Sequence, residues 1–275
     1  MNATPRISVL LPAFNAAPYI EEAIASIQRQ SLTAFELLIL DDGSSDATGD
    51  IVARLAAADQ RIRLIRRENR GLVATLNELI AAARAPYLAR MDADDIALPL
   101  RFEHQARFLD HYPHVACVGG AVEFMSADAI ALHTPRPVRD NATIQRELLA
   151  GRVAICHPAC MLRAGMVRHV GGYRDHTWPA EDLDLFLRLG EFGELANIPD
   201  LVLRYRLHAT SISASRAEQQ RERIEAVCKE AWARRGRGAT PIPAMPAATC
   251  EALRIPVIAA NPTATALVVA GLAAS

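Results

Sequence analysis

Four short apolar runs, each leading into a helical or acidic stretch, constrain this chain more than any other feature. "ISVLLP" is followed by Ile20, Ala23, Ile24 and Ile27, an apolar stripe at helical spacing. "FELLIL" precedes Ile51, Val52 and Leu55, and "RIRLI" precedes Leu72, Leu76, Leu79 and Ile80. "PYLARM" is the fourth run, and "DADD" comes directly after it. Runs that are continuously apolar rather than alternating predict strands covered on both faces. Strands that alternate with helices predict a mainly parallel, Rossmann-like central sheet with helices on both sides, hence an α/β fold.

Open sheets of this kind bind ligands in the crevice beyond the carboxyl ends of their strands. There this sequence gathers its acids, because "FELLIL" runs into "DDGSSDAT" and "PYLARM" into "DADD". The second half is less regular. "VACVGGAVEFM", "HPACMLR", "GELANI" and "LVLRYRLH" read as strands of a smaller mixed sheet, with "DLDLFLRLGEF" as a helix among them. The expected organisation is an α/β domain over residues 1–215 and a charged helix over 216–236. Residues 237–275 form a Gly/Pro/Ala-rich linker and apolar tail, docked or disordered, whose unbroken part is too short to span a bilayer.

With 275 residues, 51% of them hydrophobic, the chain can bury one large core. Thirty basic and thirty-one acidic residues leave a net charge of -1, so no basic surplus points to nucleic acid. An anionic ligand must be met by a local device. Five cysteines, an odd number spread thinly, predict reduced thiols and a cytoplasmic setting, and "CHPAC" lacks further ligands at zinc spacing. "MNATPRISVLLPAFN" does not read as a signal peptide, so the mature chain is expected to begin there. No G-x-G-x-x-G follows the first strand, where "PAFNAA" stands instead, and no phosphate-binding G-x-x-x-x-G-K-[ST] is present.

The bland reading of "DADD" is a solvated turn, with Asp95 capping the next turn. A calcium loop fails, because Ile96 and Ala97 occupy positions that need a ligand and a glycine, and Pro99 falls inside. The sharper reading is a Mg2+ or Mn2+ site, since hard divalent ions commonly bridge one or two carboxylates to substrate phosphates.

Six stretches, in order, carry a resemblance. They are "SVLLPAFNAAPYIEEAIASIQRQS", "ELLILDDGSSDAT", "NRGLVATLNELIAAARAPYLARMDADD", "HPACMLRAGMVRHVGGY", "AEDLDLFLRL" and "YRLHATSIS". Over about residues 6 to 215 the chain resembles the family 2 glycosyltransferases, inverting enzymes of the GT-A fold. The resemblance implies that Asp42, with Ser44 beside it, receives the donor nucleobase, and that Pro12, Ala13, Phe14 and Asn15 form the other wall of that pocket. A carboxylate suits the ring N–H of uracil or thymine. It implies Asp94 as ligand of Mn2+ or Mg2+, Asp92 beside the ribose or the metal, and His208 on the metal or the diphosphate. The resemblance further implies Asp182 as the general base and Glu181 as orienting the acceptor, with Arg70 expected to approach the phosphates and Asp184 expected to be structural. His157 and Trp178 line the acceptor side, although core packing accounts equally well for Trp178.

The implied reaction moves one sugar from a nucleotide-sugar donor, UDP- or dTDP-linked, to a glycan or lipid-linked glycan that builds bacterial surface polysaccharide. Such an acceptor would bring the protein to the inner face of the cell membrane peripherally. A processive polysaccharide synthase fits less well, because its Q-x-x-R-W motif has only "QRERI" as counterpart, with Ile224 in place of Trp. A degenerate sugar-binding scaffold would have lost an acid, whereas Asp42, Asp92, Asp94 and Asp182 are all present.

Overall fold

A computed structural model describes residues 4–208 and 217–236. The expected tail at 237–275 and the end of "YRLHATSIS" lie outside the described residues. The first half delivers the expected alternation: β1 (Ile7–Ala13), α1 (Ile20–Gln28), β2 (Phe35–Asp41), α2 (Thr48–Ala58), β3 (Ile62–Arg66), α3 (Leu72–Ala82) and β4 (Tyr87–Arg90). Then come β5 (Ile96–Ala97), α4 (Arg101–His111), β6 (Val115–Met125), β7 (Ala131–His133) and α5 (Asn141–Leu149). The chain continues with β8 (Met161–Arg163), α6 (Ala164–His169), α7 (Glu181–Leu189), β9 (Glu194–Arg206) and α8 (Ala217–Arg234).

The strands lie in the order β3-β2-β1-β4-β8-β6-β9-β5, with β7 on the side of β6. β3, β2, β1 and β4 are parallel, as the continuous apolar runs predict, and every residue of β1 and β2 is buried. β8 pairs antiparallel with both β4 and β6, so the mixed half expected from the sequence continues the parallel half in one nine-stranded sheet. β6 and β9 run parallel, with their register slipping opposite Gly119 to Ala121, where Ile198, Pro199 and Asp200 bulge out of the pairing.

Side-chain alternation divides the core into two layers. Val9 and Leu11 face Ile20, Ile24 and Ile27 of α1, with Val52 of α2 and Phe102 and Leu109 of α4 in the same cluster. Leu10 faces the other way, into a cluster with Leu76 and Leu79 of α3, Leu148 of α5, and Leu185 and Phe186 of α7. The charged helix α8 docks on that second layer through Val227, Cys228 and Ala231.

The pairing sets Ala13 opposite Asp41 and Leu10 opposite Arg90, so β1, β2 and β4 end along one edge of the sheet. At that edge the chain leaves the strands with its acids. No helix among the described residues is long and apolar enough to cross a membrane.

Candidate active site

Two loops close the first side of the crevice. After β1 the backbone turns through Asn15 at φ 49°, which lets its N–H donate to Ser44 Oγ at 2.9 Å. The Asn15 side-chain oxygen accepts from the Ser45 N–H at 2.9 Å, so the loops after β1 and β2 are stitched together. Pro12 and Ala13 are buried beneath this seam, while Phe14 is 53% exposed.

Asp42 is buried and occupied from three sides. Its oxygens accept from the backbone N–H groups of Arg70 and Gly71, each at 2.9 Å, and Arg67 forms an ion pair at 2.5 Å. A carboxylate offers about four acceptor positions, so roughly one remains for a ligand N–H. Arg70 therefore meets the site first through its backbone, and its side chain is exposed. Asp41 turns elsewhere, accepting from Ser44 N–H at 3.0 Å and facing Arg66.

The acids after β4 converge. One oxygen from each of Asp92, Asp94 and Asp95 lies within 4.8 Å of the others. His208 Nε2 is 2.7 Å from Asp94 Oδ2, so the structure joins His208 to the cluster across 114 positions of sequence. Asp95 opens no turn, contrary to the bland expectation, since β5 follows it directly. One of its oxygens accepts from the Arg206 N–H at 2.9 Å, and the other is buried with no hydrogen-bond partner.

Burial, aided by Asp92 and Asp94, pushes the Asp95 carboxyl well up, and burial together with Asp94 also raises Asp92. Unbalanced negative charge, an orphaned buried oxygen and hard donors beside an imidazole fit a Mg2+ or Mn2+ ion.

Arg206 braces this corner. Its guanidinium donates to the Asp94 carbonyl at 2.7 Å, the Ala127 carbonyl at 2.5 Å and Glu22 at 2.6 Å. It also lies over the Tyr19 ring, which stacks on His208 with centroids 5.4 Å apart.

The other acidic group opens α7. Glu181 is 7% exposed and its carboxyl is pushed up to about 7, by burial and then by the charge of Asp182. Asp182 is half-buried and accepts from the Leu183 N–H at 2.7 Å. Burial raises its carboxyl as well, with Asp92 adding to the effect and the Leu183 N–H and Arg90 opposing it. Asp184 points away into ion pairs with Arg174 and Arg188, the structural part expected of it.

Sequence reasoning missed Arg90. It is 4% exposed at the end of β4, ion-paired to Asp92, and its charge pulls on Asp95, Glu181 and Asp182. The one available signal was an arginine inside the apolar run "YLARM". Tyr19 carried no signal at all, because its role arises only where α1 meets β9, and Arg206 showed only as an arginine beside His208 in "LVLRYRLH".

His157 does not line an open acceptor side. It is buried, with Nε2 2.6 Å from Tyr173 Oη and its ring edge-on to Phe186 of α7. Burial and Arg90 hold its imidazole well below the usual range, hence neutral. Trp178 packs against the second core layer, the packing account given for it from sequence.

Known proteins share this architecture. TarS from S. aureus, residues 1–349 in complex with UDP-GlcNAc, superposes with a TM-score of 0.66 at 17% identity, covering 81% of this chain and 65% of that one. Mannosyltransferase PcManGT from Pyrobaculum calidifontis, in complex with GDP-Man and Mn2+, gives a TM-score of 0.60 at 23% identity, over 98% of this chain and 76% of that one. These likenesses show the GT-A fold. EpsE of Bacillus subtilis, which bears a glycosyltransferase name, is 36% identical over 198 residues, 70% of this chain and 69% of its own. The family model described as Glycosyl transferase family 2 matches residues 8–171. With that match and that relative, the chain belongs to glycosyl transferase family 2 and is a glycosyltransferase.

Proposed function

We propose that residues 1–215 carry an inverting transfer of one sugar from a UDP- or dTDP-linked donor to a hydroxyl of a glycan or lipid-linked glycan. The observation that carries this reading is the electrostatic contact between two acidic groups some ninety positions apart. Behind burial, Asp92 adds to the rise of both Glu181 and Asp182, which supports a metal cluster and a start of α7 near enough to act on one substrate.

The roles follow from position. Asp42 keeps one acceptor position for the ring N–H of a uracil or thymine, with Ser44, Asn15 and the exposed Phe14 ring around it. Asp94, Asp92 and Asp95, with His208, would hold Mn2+ or Mg2+. When bound, the ion stabilises the negative charge that grows on the departing nucleoside diphosphate.

Asp182 takes the proton from the acceptor hydroxyl at its carboxylate oxygen as that hydroxyl attacks the anomeric carbon. A carboxyl raised by burial is a stronger base than an exposed one, and the Leu183 N–H and Arg90 partly oppose the rise. Glu181, at about 7, is partly protonated near neutrality and can donate to a second hydroxyl of the acceptor. The complexes of TarS with UDP-GlcNAc and of PcManGT with GDP-Man and Mn2+ support a nucleotide-sugar donor on this fold. The intact acids support an active enzyme over a degenerate scaffold.

The test is calorimetric titration with UDP, dTDP and GDP, each with and without Mn2+, on wild type and Asp94→Ala. Metal-dependent binding of UDP or dTDP that the substitution abolishes is expected. Affinity unchanged in Asp94→Ala would remove the metal assignment, and preference for GDP would overturn the donor.

A further inference from the structure

A second concave site lies away from the acids. α4 runs from the metal end of the sheet, where Arg101 donates to the Arg90 carbonyl at 2.7 Å, to the opposite edge. There Asp110 accepts from the Tyr87 hydroxyl at the start of β4, at 2.7 Å. Along the later turns of α4, facing the bulge of β9, is a cavity of about 360 Å3. Its lining shares no residue with the donor, metal or base groups described above.

Two features of its walls point to a ligand. Arg107 from α4 and Arg139 from the segment before α5 both line it, and neither guanidinium has an ion-pair or hydrogen-bond partner among the described residues. Both are exposed residues, so their charges stand free at the cavity, whereas the more buried Arg90, Arg174 and Arg206 are held by carboxylates or carbonyls. The carboxylate in the cavity, Asp200, is already engaged by His104 Nδ1 at 3.0 Å. The second feature is an aromatic pair, Phe108 and Tyr112, with ring centroids 4.6 Å apart and Tyr112 40% exposed.

We propose that this cavity binds an acidic saccharide, a sugar unit bearing a carboxylate or a phosphate, and so holds an acidic glycan on the enzyme away from the transfer site. The guanidinium groups take the anion and the aromatic faces take the apolar side of the sugar ring. Its volume is at the lower end of the range for small-molecule sites, which suits one or two sugar units. A net charge of -1 gives no general attraction for polyanions, so two unpaired cations in one hollow act locally. The inference rests on the glycosyltransferase reading. A tether of this kind raises the effective concentration of an acceptor chain at the crevice.

The test titrates the full chain, followed by NMR chemical shifts, with a uronate-containing disaccharide, its carboxyl-reduced counterpart and inorganic phosphate. Saturable binding of the uronate is expected, at least about tenfold tighter than either other probe, because each leaves one half of the site unused. Arg107→Gln/Arg139→Gln should weaken it by about tenfold or more. The same samples are titrated with UDP and Mn2+, which both arginine substitutions should leave unchanged. Equal affinity for the reduced disaccharide or for the double variant overturns the anion site, and equal affinity for phosphate alone overturns the saccharide. Displacement of the uronate by UDP and Mn2+ would place it in the crevice and overturn a separate site. Loss of nucleotide binding with uronate binding retained would count against the donor reading instead.

Discussion

Replacing Glu181 by Gln should stabilise this protein in neutral and alkaline solution while leaving it nearly unchanged in acid. Glu181 is 7% exposed and its carboxyl moves from 4.5 to about 7 on folding, through burial and then the neighbouring Asp182. The folded chain therefore binds the proton more tightly than the unfolded chain. Stability contributed by the protonated form is fully present below pH 4.5 and is lost as pH rises towards about 7. Ionising a carboxyl so displaced opposes folding by about 3 kcal/mol once pH passes the folded value. Gln has the shape of the protonated acid and no charge to bury. Urea denaturation of metal-free wild type and variant at intervals from pH 4.5 to pH 8 measures the difference. Asp92 and Asp95, both raised in the folded chain, are common to wild type and variant and largely cancel. The advantage of Glu181→Gln should start near zero and reach about 3 kcal/mol at pH 8. An advantage independent of pH, or a variant less stable than wild type at pH 8, would refute the reasoning. The variant should also turn over more slowly, as expected where a strained acid is kept for function.

Three other perturbations separate the parts of the site. Asp182→Asn should bind donor with unchanged affinity and lose about 10²–10⁴-fold in kcat. Substantial residual turnover would remove Asp182 as the base. Arg90→Met leaves Asp92 without its buried partner and should lose about 3–5 kcal/mol in metal-free protein. Mn2+ should then raise the Tm of Arg90→Met more than that of wild type, since the ion replaces the missing positive charge. Equal shifts would show that Arg90 has no hold on the cluster. Asp94→Ala, as above, should abolish the metal dependence of nucleotide binding.

The parallel half of the fold was legible because β1, β2 and β4 are covered on both faces, and such burial favours a continuous apolar run. Ile20, Ala23, Ile24 and Ile27 are fully buried for the same reason, one helix face meeting one sheet face. The joining of the two halves was not legible. It depends on β8, three residues long, whose pairing with both β4 and β6 is set by register across distant parts of the chain. Nor does charge-rich composition show that α8 docks. Its hold on the second core layer is Val227, Cys228 and Ala231, with Ile224 and Trp232 packed beside them, in a helix otherwise rich in charge.

The acids were legible for a different reason. Carboxylates at the ends of apolar strands are costly to gather without a cation, so their mere position asks for one. The protein's own cation was hidden because the sequence offers Arg90 as one polar residue inside a strand, indistinguishable from a side chain reaching an exposed face. Only the folded arrangement shows that no such face exists there. Arg90 is buried, and burial alone would lower its guanidinium. Asp92, followed by Tyr173 and Asp95, more than reverses that and holds its guanidinium well above the usual range. The same positive charge is felt at Glu181 and Asp182. A neutral residue at position 90 would leave the metal acids and the proposed base repelling one another across the crevice. The arginine is therefore what allows two acidic groups to share one site in the metal-free protein, and a bound divalent ion would take over part of that balance.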